Sequence, residues 1–204
     1  GWGRLHETTD LCAITKPITA FSYMVRIPDE IPELIAQAFT VFSSRRPRPV
    51  HIAIPIDIME MEATGDWSPR KTPDRPVPGH TAISSAIDLL DTATDPIMIV
   101  GGGAQDVGTR AEELAEILNC AVISSNAGKG VVPDTNPLSL SGGVINHEIQ
   151  TYLGKADVIL AIGTELGEAD SFIYDLPING KVIRVDIDPA RFNDCFPATI
   201  GIQG

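Results

Sequence analysis

The stretch 95–108, "DPIMIVGGGAQDVG", decides how this chain is read. An apolar, partly branched run ends abruptly in Gly101, Gly102 and Gly103. Beyond Gly108 the period changes, because "TRAEELAEILNC" puts Ala111, Leu114, Ala115 and Leu118 on one helical face. A short buried strand, a glycine turn and an amphipathic helix form the opening unit of a parallel α/β sheet. The glycines invite comparison with the dinucleotide fingerprint G-x-G-x-x-G, which wants an acid about 20 residues on for the ribose. Gly101 and Gly103 fit, but Asp106 stands at the third glycine and the next strand, "AVISS", ends in serines. A carboxylate at a helix start repels a pyrophosphate and serves better as a cap. The reading is a tight strand-to-helix turn capped by Asp106, not an ordinary NAD site.

Working outward, the pattern repeats. A helix over 81–93 carries Ile83, Ile87 and Leu90 on one stripe, and strands are expected at 97–100, 121–125, 157–163 and 181–188. "NHEIQTYLG" is a short helix closed by Gly154, and "ATIGIQ" adds an edge strand. The strands are short, branched and apolar on both faces, as in a parallel sheet covered by helices. The fold class is therefore α/β: a central parallel sheet flanked by helices, a Rossmann-like three-layer domain over 80–204. Before it, "EATGDWSPRKTPDRPVPG" holds Pro69, Pro73, Pro76 and Pro78, which break regular structure and favour an extended linker, taken as 62–79. Residues 1–61 contain a helix with Ile31, Leu34, Ile35, Ala38, Phe39 and Phe42 on one face, Asp29 as its N-cap and Pro32 in its first turn. The strand 50–54 follows. A helix feeding one strand is half of a crossover, so this segment reads as a truncated α/β piece expecting strands that it lacks.

The 204 residues are 43% hydrophobic, enough for a sizeable core, and carry 15 basic against 27 acidic side chains for a net charge of −12. Such a surface repels nucleic acid, and the one dense basic cluster, Arg45, Arg46 and Arg48, is a short proline-broken loop. No apolar run reaches the roughly 20 residues of a membrane span. Cys12, Cys120 and Cys195 are odd in number and far apart, which suits reduced thiols and neither a disulfide framework nor a zinc site. The expectation is a cytoplasmic protein with no membrane and no nucleic-acid partner.

Ligands of open α/β sheets collect beyond the carboxyl ends of the strands. There "SSNAGKGVVP" offers Gly128 and Lys129, a cation placed to meet an anionic phosphate, and "DIDP" offers Asp186 and Asp188 as acceptors for ribose or amide donors. Each also has a plain reading as a turn residue or a surface charge. His51 reads as a satisfied strand histidine, His147 lacks metal-ligand spacing, and Ser124 and Ser125 lack a nucleophile elbow.

The order of these pieces carries a resemblance. "AITKPITAFSYMVRIPDEIPELIAQAFTVFSSRRPRPVHIAIPIDIM" resembles the closing part of the pyrimidine-binding domain of thiamine-diphosphate enzymes of the acetolactate synthase type. "DPIMIVGGGAQ", "AEELAEILNCAVISSNAGKGVVPDTNPLSLSGG", "ADVILAIGTEL" and "VIRVDIDP" together resemble that family's central domain. "GRLHE" and "RPRPVHI" look closest to its oxo-acid decarboxylase-like subgroup. The resemblance implies a parent, a homo-oligomer, that uses thiamine diphosphate and Mg2+ on a 2-oxo acid. The family's catalytic glutamate lies earlier and its "GDG" motif lies in a third domain, so 204 residues with neither read as an inactive fragment holding no catalytic or metal residue. Where the family has "FQE" this chain has Leu5, His6 and Glu7, which places His6 in the parent's substrate pocket and puts acetolactate synthesis in doubt.

The central domain of that family holds FAD in acetolactate synthases and ADP in a related decarboxylase, and is empty in many relatives. Carried over, Gly101, Gly102, Gly103, Gly128, Lys129, Gly163, Thr164, Asp186 and Asp188 form the nucleotide crevice. Flavin-binding members place an arginine soon after the third loop's glycine, where this chain has Glu165, with Glu168 and Asp170 close by. Carboxylates in place of a diphosphate's cation argue against FAD and leave the central domain as scaffold. The alternative is a self-standing nucleotide- or FAD-binding module. A zinc-bearing NAD-dependent deacylase is excluded for want of a cysteine quartet.

Overall fold

Asp10 starts the first helix: its carboxylate accepts the Ala13 N–H at 2.9 Å and caps α1 (Leu11–Thr15). The structure is a computed structural model that describes residues 3, 5, 7–140 and 143–204. It divides within the proline-rich stretch into two units, Gly1–Arg75 and Pro76–Gly204.

In the first unit, β1 (Phe21–Met24) precedes α2 (Ile31–Ser44), and β2 (Val50–Ala53) lies parallel to β1 with Phe21 opposite Val50 and Met24 opposite Ala53. The short α3 (Ile56–Met59) follows. This is a complete β-α-β crossover and corrects the expectation of missing strands: "FSYM" supplies the partner of β2. Asp29 is not the N-cap of α2. A 3-10 turn, Pro28–Glu30, precedes that helix, which has no side-chain cap bond, while the Asp29 carboxylate turns away to the linker. Pro32 does sit in the first turn, where no N–H is needed. The buried side of α2 is Leu34, Ala38 and Val41, whereas Ile35, Phe39 and Phe42 remain exposed.

The second unit begins with α4 (His80–Asp91) and β3 (Pro96–Val100). It continues through α5 (Gly108–Leu118), β4 (Ala121–Ser124), β5 (Ser139–Leu140) and α6 (His147–Leu153). The chain then adds β6 (Val158–Ile162), α7 (Glu168–Ser171), β7 (Lys181–Asp186) and β8 (Ile200–Gln203). All six strands are parallel, in the order β5-β4-β3-β6-β7-β8. The sheet grows from β3 outward to β5 and then restarts on the other side of β3, so its direction switches between β3 and β6.

Alternate residues of each central strand feed opposite cores. Met98, Val100, Val122, Val158 and Leu160 face Ala86, Ala111 and Ala115 of α4 and α5. Ile97, Ile99, Ile123, Ile159 and Ala161 face Leu153 of α6 with Leu166 and Leu176. Burying such side chains on both faces contributes roughly 1.5–3 kcal/mol each, which explains why β3 reads as an unbroken apolar run. α4 sits on the sheet through Ala82, Ala86, Leu89 and Leu90, with Ala93 just beyond its end, leaving Ile83 and Ile87 exposed. The expected stripe is thus displaced by one position, because close helix–sheet approach selects alanine over isoleucine. Asp106 does not cap α5 either. It lies inside a 3-10 turn, Gly102–Val107, and Val107 holds the capping position without a side-chain bond. Asn146 does cap α6, accepting the Glu148 and Ile149 N–H groups at 2.8 and 3.3 Å.

Candidate functional site

The carboxyl ends of β3, β4, β6 and β7 bring together most of the residues singled out in the sequence. The backbone there continues the sheet's hydrogen bonding past the strand ends. Gly101 N–H donates to Ile162 O at 2.8 Å, Ser125 N–H to Val100 O at 2.9 Å, and Gly163 N–H to Val185 O at 2.8 Å. One step further, Gly103 N–H donates to Gly163 O at 3.0 Å, tying the two loops at the switch point to each other. Gly128 N–H donates to Ser125, to its carbonyl at 3.0 Å and its hydroxyl at 3.1 Å.

Side chains are excluded there by neighbouring backbone. Gly163 is left-handed (φ +60°), and a Cβ on it would lie 2.6 Å from the Gly103 Cα. A Cβ on Gly101 would collide with Gly163 O, and one on Gly128 with Val100 O. These glycines are small because protein packs against protein. The amides of Gly101, Gly103, Gly128 and Gly163 already donate to internal acceptors, so these four are not outward-facing donors for a phosphate.

The remaining predicted residues behave individually. Thr164 is buried, its hydroxyl accepts the Leu166 N–H at 3.1 Å, and its carbonyl accepts from Arg184 Nη2 at 3.0 Å. Asp186 is buried and accepts the Asp188 N–H at 2.9 Å. Asp188 caps the 3-10 turn Pro189–Asn193 by accepting the Ala190 N–H at 3.0 Å, as its place before a proline suggests. Lys129 is exposed. His6 lies outside the described residues.

Two features were not anticipated. First, Arg184, 1% exposed inside β7, pairs through Nη1 with Asp194 Oδ1 at 2.6 Å and braces the Phe196 carbonyl at 3.4 Å, while its Nε is buried without a hydrogen-bond partner. The signal was available: a cation within "VIRVD" needs a partner once the strand is buried. Second, a strap crosses from the β6 loop to the β4 loop, where Asn126 N–H donates to Asp170 Oδ1 at 2.8 Å and Asn126 Nδ2 to Ala169 O at 3.0 Å. Leu166 and Phe172, both at φ +53°, flank α7 in that strap. Left-handed non-glycine residues cost about 1–3 kcal/mol each and persist where their surroundings fix them.

An open concavity of about 430 Å³ lies beside the glycine turn, lined by Gln105, Asp106, Thr109, Arg110, Glu112 and Gly130 among others. None of Gly101, Gly103, Gly163 and Thr164 lines it. Burial pushes the Cys120 thiol up to about 11, so it stays protonated and inert. His51 Nδ1 lies 2.9 Å from both Thr15 Oγ1 and Ser22 Oγ, the satisfied strand histidine that was expected. No cluster of three or more His, Cys, Asp or Glu among the described residues is arranged to hold a metal ion. The described residues thus present no ready-made cage of carboxylates, imidazoles or thiolates for Mg2+.

Comparison with known proteins follows this geometry. The family profile described as "Thiamine pyrophosphate enzyme, central domain" matches residues 83–204. The chain belongs to the thiamine pyrophosphate enzyme family. Within that family it is 43% identical over 206 residues to "Probable 2-ketoarginine decarboxylase AruI" of Pseudomonas aeruginosa, an alignment covering 100% of this chain and 37% of the relative. It is 31% identical over 213 residues to an acetolactate synthase of Mycobacterium leprae, covering 97% of this chain and 33% of that protein. An X-ray structure from Mycobacterium smegmatis, assigned to the thiamin diphosphate-dependent enzymes, superposes with a TM-score of 0.79 at 21% identity, covering 96% of this chain and 39% of the other. At that identity the superposition establishes the fold. The chain spans about a third of the length of the curated relatives it matches.

Proposed function

We propose that this chain is part of a thiamine-diphosphate-dependent decarboxylase acting on a 2-oxo acid with a cationic side chain. On this reading 1–61 closes the pyrimidine-binding domain, 62–79 is the linker and 80–204 is the central domain of a homo-oligomeric enzyme. The observation that carries the reading is the 43% identity along the whole chain to the relative named as a 2-ketoarginine decarboxylase, against 31% for an acetolactate synthase. The His6 departure from "FQE" and the acids Glu165, Glu168 and Asp170 beyond the third loop point the same way. When bound, thiamine diphosphate supplies a carbon nucleophile and an electron sink for the carboxylate's electrons. The residues of this chain contribute the frame in which other segments hold it. The central domain serves as a scaffold without a nucleotide, a role supported by its interlocked glycines.

The deciding experiment uses the complete protein with thiamine diphosphate and Mg2+. Carbon dioxide release from 2-ketoarginine is expected with a kcat/KM at least 100-fold above that for pyruvate, and acetolactate is expected to be absent. Comparable acetolactate formation from pyruvate overturns the assignment. Calorimetric titration of the 204-residue chain with FAD and with ADP is expected to be flat. Saturable binding of either overturns the scaffold role.

A further inference from the structure

The linker is held by the folded units at both of its ends. At its start, Asp29 reaches out of the Pro28–Glu30 turn and collects four hydrogen bonds from residues more than thirty positions away. Oδ1 accepts the Thr64 N–H at 3.1 Å, the Gly65 N–H at 2.9 Å and the Trp67 indole N–H at 3.3 Å, and Oδ2 accepts the Thr64 hydroxyl at 3.0 Å. Its neighbour Glu30 has a different task, bracing the turn after β1 by accepting the Arg26 N–H at 2.9 Å and the Tyr23 hydroxyl at 3.2 Å. Asp66 then folds back onto the Ser68 N–H at 2.8 Å.

The far end is fixed within the second unit. Pro76 and Pro78 are half-buried while Val77, between them, is 87% exposed. A Cβ on Gly204, just past β8, would meet Pro78 Cγ at 3.1 Å. Alternate residues of "PVP" thus lie against the unit they lead into.

We propose that the Asp29 carboxylate is a clasp that ties residues 64–67 to the Pro28–Glu30 turn of the first unit, so that the linker's protected part extends through Trp67. A carboxylate suits this task because it has two oxygens, each able to accept more than one bond, and no donor to satisfy. Gly65 suits it because a side chain there would press on the acid: its Cβ would lie 2.9 Å from Asp29 Cγ. Asp29 is accordingly a positioning residue for the linker, with no part in chemistry.

Amide hydrogen exchange of the 204-residue chain tests the clasp. In the unsubstituted chain the Thr64 and Gly65 amides are expected to exchange at least ten-fold more slowly than those of Lys71 and Thr72. Asp29→Ala is expected to abolish that protection while the amides of α2 stay protected. Asp29→Asn, which keeps one acceptor oxygen, should retain part of it. Gly65→Ala should open the clasp by crowding, and combining it with Asp29→Ala should add nothing further. In a Trp2→Phe background, Trp67 emission is expected to shift with the same variants. Absence of protection at Thr64 and Gly65 in the unsubstituted chain overturns the proposal, as does protection that survives Gly65→Ala. Should Asp29→Ala also unfold α2, the Gly65→Ala result decides alone.

Discussion

The two units use the same element, a parallel β-α-β crossover, and end with opposite surfaces. In the second unit six strands carry helices on both faces, and every apolar residue of β3 past Pro96 is at most 1% exposed. In the first unit, which has two strands, only a narrow strip of α2 is buried, and Phe39, 55% exposed, stands edge-to-face with Phe42 at 5.9 Å. Hydrophobic periodicity states what a helix can bury. How much it does bury is set by the number of strands beneath it.

The contrast can be broken most forcefully at the glycines of the second unit. Gly128→Ala sets a Cβ against the Val100 carbonyl, inside the ladder that continues β3. Backbone cannot yield as a flexible side chain does, so a loss of about 3 kcal/mol or more is expected in urea unfolding of the second unit. In the Trp2→Phe background, Trp67 fluorescence, reporting the first unit, should stay unchanged; a joint transition would mean that the units unfold as one.

Next in size is the buried ion pair. Arg184→Ala leaves Asp194, itself 20% exposed, with only the more distant Arg191 guanidinium at 3.7 Å, and should cost about 2–3 kcal/mol in the same assay. Arg184→Met, which keeps the volume, should cost less. Equal costs would show that the lost charge and not the lost volume dominates at β7.

A pH test sharpens the comparison further. Asp157 accepts the Thr94 N–H at 2.7 Å, the Thr94 hydroxyl at 2.9 Å and the Asp95 N–H at 3.0 Å. Those bonds, the Thr94 backbone bond foremost, hold its carboxyl below the ordinary value of 3.8. A lowered folded-state value stabilises above the unfolded value and is lost as pH falls through the folded one. The stability gap between the unsubstituted chain and Asp157→Ala should be full above pH 3.8 and close below it. A gap that persists in acid would assign it to packing.

The smallest effect belongs to the open face of the first unit. Phe39→Ser should move stability by no more than about 0.5 kcal/mol, measured by denaturant titration. A large loss would mean that this ring is covered in solution.

Much of the second unit was legible because buried parallel strands announce themselves as branched apolar runs between glycine turns. β1 was missed because four residues of "FSYM" alternate weakly, and β5 because two residues make no pattern. Asp29 and Asp106 misled for one reason: an acid ahead of an amphipathic run looks like a cap, and in both places a 3-10 turn takes up the residue. At the candidate site the sequence picked out which residues converge, since loops after parallel strands share one edge. It could not disclose that Gly103 N–H meets Gly163 O or that Asn126 meets Asp170, because those partners are set by the spatial order of strands.

The bond from Gly103 to Gly163 also bears on redesign. Two loops knitted through their main chains cannot be parted by exchanging side chains, so mutating Glu165 or Asp170 to cations would create charge without creating room. Anyone wishing to graft a coenzyme pocket onto this sheet would have to lengthen one of the two loops first, and only then choose the residues to line the gap.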